Sequence, residues 1–258
     1  MINYEVALTQ FEIFVLILMR LASFVSVAPF FNTANTPRRL KIGFSFALTI
    51  LVFYVQPELA VTYEGVIEFA AIVVKEVVVG LILGAMTAFC VQIIMFAGKI
   101  IDMDIGISMA QIYDPTTRMQ VGIMGNFYYY LLMLLLILSG LHRYLVAAIV
   151  ETFRVIPLGS AKFGGSIITT VISFMKDYFI IGFRIALPIF AAILMLNCIL
   201  AILAKVAPQM NMFVVGMQLK LIVGILVIFF TISMMPAVSS FILEEIKSIM
   251  AALVRGMS

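Results

Sequence analysis

Few residues in this chain can carry chemistry, and they stand in unusual places. Arg20 sits inside ILMRLASF, Lys75 and Glu76 interrupt IVVKEVVV, Arg184 lies in GFRIALP and Lys220 in MQLKLIV. A charged side chain within an apolar span costs roughly 2.5–3.5 kcal/mol on insertion scales, so such residues face a bundle interior or a wet cavity. Lys75 and Glu76 are adjacent and point about 100° apart on a helix, so they cannot pair and each needs its own partner. Glu12 and Arg20 share a helix face two turns apart, which is long for a direct bridge. A proton relay needs carboxylates or histidine deep in the span, and the deep charges here are mostly basic. Burial of Arg20, Lys75, Glu76 and Arg184 against neighbouring subunits is therefore favoured over an ion pathway.

Two longer stretches mix polar and apolar residues. KVAPQMNMFVVGMQLK (205–220) gathers Lys205, Pro208, Gln209, Asn211, Gln218 and Lys220 near the end of the most apolar region. GKIIDMDIGISMAQIYDPTTRMQVG (98–122) holds Asp102, Asp104 and Asp114, with Gly106, Gly122 and the turn pair Asp114-Pro115. Two nearby aspartates suggest calcium, but the oxygen spacing and terminal Glu of an EF-hand loop are missing. Ile105, Ile107, Met109, Ile112 and Tyr113 are too apolar for a solvated loop. They predict a short segment that re-enters protein at membrane depth, where non-helical backbone is tolerated only if buried in protein or lining a cavity.

Enzyme chemistry finds no support. There is no GxSxG, HExxH or P-loop, and no nucleophile–base pair can be assembled. His142 is the only histidine, and Cys90 and Cys198 lie alone in apolar runs, which predicts two buried thiols and neither a metal centre nor a cofactor.

The elements that must position these residues are membrane helices. The chain has 258 residues, 64% hydrophobic and 11% charged, with a mean hydropathy of +1.22. A soluble domain has about 25% charged residues, so this chain lacks the polar surface to cover a soluble particle. Its net charge of +3 is dispersed and offers no stripe for nucleic acid. The N-terminus, with Glu5 and Glu12 before its first apolar run, lacks the basic opening of a cleaved signal. Charge-free runs predict helices over 9–29, 40–57, 65–98, 121–150, 166–204 and 209–245: an all-α membrane protein of about six long, partly kinked helices in one domain. Residues 65–98 would extend about 50 Å, well beyond a hydrocarbon core of about 30 Å, so this unit must tilt, break or leave the bilayer. Pro188 and Pro236 are candidate breakers, and Gly80 and Gly84 form a step at which a second helix could approach closely. Arg38, Arg39 and Lys41 place 32–41 in the cytoplasm, and Glu58, Glu64 and Glu68 place 57–68 outside. Six passes then put 205–211 inside, although Arg143, Arg154 and Lys162 run against that assignment.

GISMAQIYDP (106–115), KVAPQMNMFVVGMQLK (205–220) and RLASFVSVAPFFNTANTPRRLKIGFSFALT (20–49), in this order, resemble the FliR/SctT family, the R/T component of flagellar and virulence type III export gates. The likeness covers nearly the whole chain. It implies an inner-membrane, non-enzymatic gate subunit in the flagellar basal body, present in one copy with FliP/SctR-type and FliQ/SctS-type subunits and with FlhB/SctU-type and FlhA/SctV-type export components. The substrate would be unfolded protein. Residues 1–165 would be FliP/SctR-like and 166–258 a FliQ/SctS-like hairpin. The resemblance makes 106–117 the pore plug, carried by Gly106, Ile107, Ser108, Met109, Ala110, Gln111, Ile112, Tyr113, Asp114 and Pro115. Lys205, Pro208, Gln209 and Asn211 would form the cytoplasmic hairpin turn, with Gln218 and Lys220 facing adjacent subunits or the channel entrance. Met103 and Met109 suit an apolar seal that yields to a passing chain. The alternative is a stand-alone ion-coupled transporter of small solutes that uses the intramembrane charges.

Overall fold

The computed structural model describes residues 4–33, 36–56, 59–106 and 122–258. Helices make up nearly all of them: α1 (Tyr4–Val27), α2 (Arg38–Val55), α3 (Val66–Ile105), α4 (Ile123–Leu138), α5 (Leu141–Val155), α6 (Gly165–Val206), α7 (Met212–Thr231) and α8 (Met235–Met257), with a 3-10 turn at Ile232–Met234. Among the described residues four helical stretches are long and apolar enough to cross a membrane, or five if the bent α4–α5 pair is one span.

Where helices end follows from local chemistry. The expected unit 121–150 is broken: Gly140 takes a left-handed φ of 76° between α4 and α5. Only glycine adopts that conformation without penalty, so Ser139-Gly140 ends one helix and starts the next. The unit 209–245 is interrupted by the 3-10 turn, and Pro236 follows in the first turn of α8, where its missing N–H is least costly. Pro188, in contrast, lies inside a continuous α6. Residues 98–105 are not irregular as expected. With no Gly or Pro between Lys99 and Ile105, α3 runs on to Ile105 and carries Asp102 and Asp104 as helical residues.

The chain forms two compact units, interleaved in sequence. The first comprises residues 1–90, 140–174 and 244–258. In it α1 buries Leu16, Ile17, Leu21 and Phe24, a three-and-four spacing that lays one stripe against α2 and α3. Gly80 and Gly84 are the crossing point. A Cβ at Gly80 would overlap Ser23 Oγ and the Arg20 carbonyl, and one at Gly84 would lie 2.9 Å from the Phe24 carbonyl. On α5, Leu141, Leu145, Ile149 and Phe153 repeat every four residues and are fully buried. The second unit comprises residues 91–139 and 175–243. Ile94, Ala97 and Ile101 of α3, Leu132 and Leu136 of α4 and Ile189 and Ile193 of α6 form its core. Phe96 packs among the rings of Tyr178, Phe179 and Phe183 at 5.5–5.8 Å, over the gap left by Gly182. Large apolar residues such as Phe190, Met195, Ile222 and Phe229 stay exposed, as befits helices whose outer faces meet lipid or other protein. Cys90 is buried, but Cys198 is exposed because it falls on this outer face of α6.

Candidate functional site

The first unit holds one charge cluster in a dry setting. Arg20 and Glu76 are both fully buried, and Arg20 Nε donates to Glu76 Oε2 at 2.5 Å. Arg20 Nη1 also donates to the carbonyls of Thr152 (3.3 Å) and Ile156 (3.0 Å), at the end of α5. A cation is favoured there by the unsatisfied carbonyls and the negative end of the helix dipole. The guanidinium lies 4.4 Å from the Phe153 ring centroid. The other carboxylate oxygen of Glu76 accepts from Gly159 N at 2.8 Å, in a turn where Gly159 has φ 76°. One ion pair thus ties α1, α3, α5 and the turn after α5. For Arg20 and Glu76, this internal pair replaces the expectation of counter-charges from neighbouring subunits: helices separated by long stretches of sequence converge on them. Lys75 is exposed and reaches the Gly159 carbonyl at 3.5 Å, so it shares with Glu76 the residue whose N–H bonds to that carboxylate.

The second unit holds the root of the 106–117 segment. Gly106 ends α3 with φ 86°, its N–H bonded to the Met103 carbonyl at 3.2 Å. The other expected plug residues, from Ile107 to Pro115, lie outside the described residues. The chain is described again from Gly122, and α4 begins beside α3. Gly122 is the N-cap and brings no side chain. Asp102 supplies the cap instead, its carboxylate accepting from Met124 N (3.1 Å) and Gly125 N (3.3 Å). An anion at a helix N-terminus satisfies orphan N–H groups and opposes the dipole. A Cβ on Gly98 would run into Gly125 Cα, so two glycines permit the approach that puts Asp102 in reach. One turn on, Ile105 fills the space over Gly224 of α7. Asp104 and Lys220 line a cavity of about 230 Å³ together with Gly106, Asn197 and Met217. Asp104 Oδ2 has no hydrogen-bond partner among the described residues.

The other expected residues fall as follows. Lys205 is exposed in the last turn of α6, and Pro208 and Gln209 are exposed in the turn that follows. Asn211 caps α7, its side chain accepting from Phe213 N at 3.2 Å. Gln218 is exposed. Arg184 is exposed at the rim of a second cavity, of about 310 Å³, formed by α6 near Pro188 and the region of the 3-10 turn. Sequence reasoning missed Asp102 as a cap, Thr152 and Gly159 as partners of the buried pair, and the Gly98–Gly125 contact. Only the two glycines, each inside a helical stretch, carried a readable signal, that of close helix approach.

A helical membrane protein with a buried ion pair, overlong apolar helices and a short polar hairpin turn defines an integral membrane component. Comparison with known proteins makes this specific. Residues 11–246 match the family of bacterial export proteins, family 1. The chain is 27% identical over 242 residues to the flagellar biosynthetic protein FliR of Escherichia coli K12, covering 92% of this chain and 90% of that protein. It is 29% identical over 251 residues to the FliR protein of Bacillus subtilis 168, covering 93% and 95%. The FliR protein of Aquifex aeolicus is 24% identical over 221 residues, covering 86% and 85%. The chain belongs to the FliR/SctT family of bacterial export proteins.

Proposed function

We propose that this chain is a subunit of the flagellar type III protein export gate in the bacterial inner membrane, where it helps form and close the channel for unfolded substrates. Family membership supports the export role, and the relatives' flagellar names favour the flagellum over a virulence injectisome. The chain performs no catalysis and holds no cofactor. A single copy assembles with FliP/SctR-type and FliQ/SctS-type subunits, next to FlhB/SctU-type and FlhA/SctV-type components. Residues 1–165 act as the FliP/SctR-like part and 166–258 as the FliQ/SctS-like hairpin. Its turn at Lys205, Pro208, Gln209 and Asn211 faces the cytoplasm.

One observation carries the closing role: both ends of the 107–121 stretch are held within a helical turn of Asp102. Gly106 follows it on α3, and the amides of Met124 and Gly125 bond to it where the chain returns. A pore plug needs such a root, because an apolar segment that yields to a passing chain must return to one place. Co-expression with the P- and Q-type proteins, mild-detergent extraction and native mass measurement test the assignment. One hetero-complex with a single copy of this chain is expected, and a stable monomer or symmetric homo-oligomer that ignores those partners would sink it. Deleting 107–113 within that complex should raise ion leak through the membrane, and unchanged leak would remove the closing role.

A further inference from the structure

The α6–α7 hairpin carries its own ruler. Residues 185–204 contain no charged side chain and are bounded by Arg184 and Lys205. Twenty helical residues span about 30 Å, the thickness of a bilayer's hydrocarbon core. The antiparallel α7 is 20 residues long as well, packs Gly216 on Leu200 near the turn and gives way to the 3-10 turn at Ile232–Met234. Measured from the Lys205 end, Arg184 and the irregular backbone fall at one level, where a span ends and headgroups begin. Irregular backbone and arginine both belong at that level rather than in hydrocarbon.

The cavity at this level is built for an amphiphile. Arg184 stands at its rim with no hydrogen-bond or ion-pair partner among the described residues. Pro188 has no N–H to offer the Arg184 carbonyl, so the helix lacks one ladder bond at this level. The hydroxyls of Tyr128 and Thr231 lie 3.4 Å apart in the same lining. The rest of the wall is apolar, with Ile185, Val238 and Phe241 forming a trough open to the side.

We propose that this cavity is a phospholipid site, with the lipid phosphate on the Arg184 guanidinium, the glycerol oxygens toward the Tyr128–Thr231 hydroxyls and one acyl chain entering the trough. Basic pockets between membrane helices take phosphate headgroups, and guanidinium–phosphate pairing is charge-assisted and bidentate. A free phosphate would leave the apolar wall bare. A carboxylate on another helix would use the arginine but not the hydroxyls. A cavity of about 310 Å³ holds the headgroup and the first stretch of one chain, at the small end of ligand pockets, and the remaining chain continues into the bilayer past the exposed Leu187. The lipid would wedge α6 near Pro188 against the 3-10 turn that ends α7.

The test uses the purified full-length chain and native mass spectrometry with dioleoyl phosphatidylglycerol, dioleoylglycerol or inorganic phosphate as the probe. Wild-type protein should retain phosphatidylglycerol but not dioleoylglycerol, and excess inorganic phosphate should not displace it. Arg184→Gln should lose retention about tenfold or more, and Arg184→Lys should lose less. Ala237→Trp, which fills the trough and leaves Arg184 in place, should lose retention too, so a folding defect peculiar to the arginine variant cannot mimic the result. Equal retention by Arg184→Gln would overturn the site. Full displacement by inorganic phosphate would reduce it to an anion site. No lipid on the wild type, together with a carbodiimide cross-link from Arg184→Lys to an acidic residue in the co-purified P–Q complex, would give the surface to a protein helix. The lipid-retention readouts do not depend on the export reading, and only the cross-link does.

Discussion

Glu76 and Asp104 both project from α3, and the chain treats them in opposite ways. Glu76 has both oxygens engaged, one by Arg20 and one by Gly159 N, and water does not reach it. Asp104 keeps Oδ2 free of any hydrogen-bond partner among the described residues, beside a cavity it shares with Lys220. Between them in character is Asp102, buried but spent on the N-terminus of α4. A buried carboxylate with both oxygens engaged fixes geometry and has no alternative partner within reach. One that faces a cavity with room for several waters, at about 30 Å³ each, can change partners at little cost. The Glu76 cluster is therefore a static pin. The end of α3, from which the segment proposed as the plug departs, has no such pin at Asp104.

That contrast is broken most directly at the pin. Arg20→Met would leave Glu76 buried without its cation, and Glu76→Met would strand the guanidinium. Each should cost roughly 3–5 kcal/mol, because an uncompensated buried charge remains. The double change should recover most of the loss, since an apolar pair of similar volume needs no solvation. Thermal unfolding in detergent, read by circular dichroism, measures all three proteins. Single variants as stable as the wild type, or a double variant no better than either single, would show that the pair is not the pin described. Lys220→Gln, beside the open carboxylate, should change the unfolding midpoint far less than either single variant.

Asp102 sharpens the comparison at smaller scale. Asp102→Ala removes an N-terminal cap and should cost about 1 kcal/mol locally. Hydrogen exchange at the Met124 and Gly125 amides should speed up about five-fold, the rate equivalent of that energy. Asp102→Asn keeps an acceptor oxygen and should sit between the two. If exchange at those amides is unchanged in Asp102→Ala, the carboxylate does not hold the return of the chain, and the root proposed for the plug loses its anchor.

How much of this was legible depends on the distance over which the information is encoded. Helix positions were readable because apolar runs and single breakers are local. The turn at Pro208, the cap at Asn211 and the interruption before Pro236 all stand close to where turn chemistry places them. The close crossing at Gly80 and Gly84 was readable as spacing, but not the identity of α1 as the helix that crosses. The break at Gly140 was passed over because one glycine in a long apolar run is ordinarily tolerated, and only the φ of 76° shows that here it is used. The partnership of Arg20 with Glu76 spans 56 positions, and the capping of α4 by Asp102 spans 22 and 23. No periodicity encodes either, since both arise from helices that meet only after folding. A charge stranded in an apolar run announced that it needed a partner without saying which.

A fourth carboxylate, Glu12, extends the comparison to a half-buried pair near the end of the first unit's helices. Tyr63 Oη donates to Glu12 Oε1 at 2.5 Å, between the loop before α3 and α1. The acceptor carboxylate holds the phenol proton in place and, with lesser help from burial, pushes Tyr63 above the ordinary tyrosine value of 10.0. Because the folded state binds this proton more tightly than the unfolded chain, the contribution is complete below the unfolded tyrosine value. It is lost as pH rises through the folded one, so the sensitive window opens above about pH 10. Tyr63→Phe should lower the unfolding midpoint slightly at neutral pH, and the gap between variant and wild type should close as pH climbs through that window. A gap that stays constant from neutral pH to the end of the tyrosine titration would mean the phenol proton is not shared with Glu12. The effect should be the smallest of the three, because a half-buried hydrogen bond can exchange with water whereas the buried Glu76 has no such substitute.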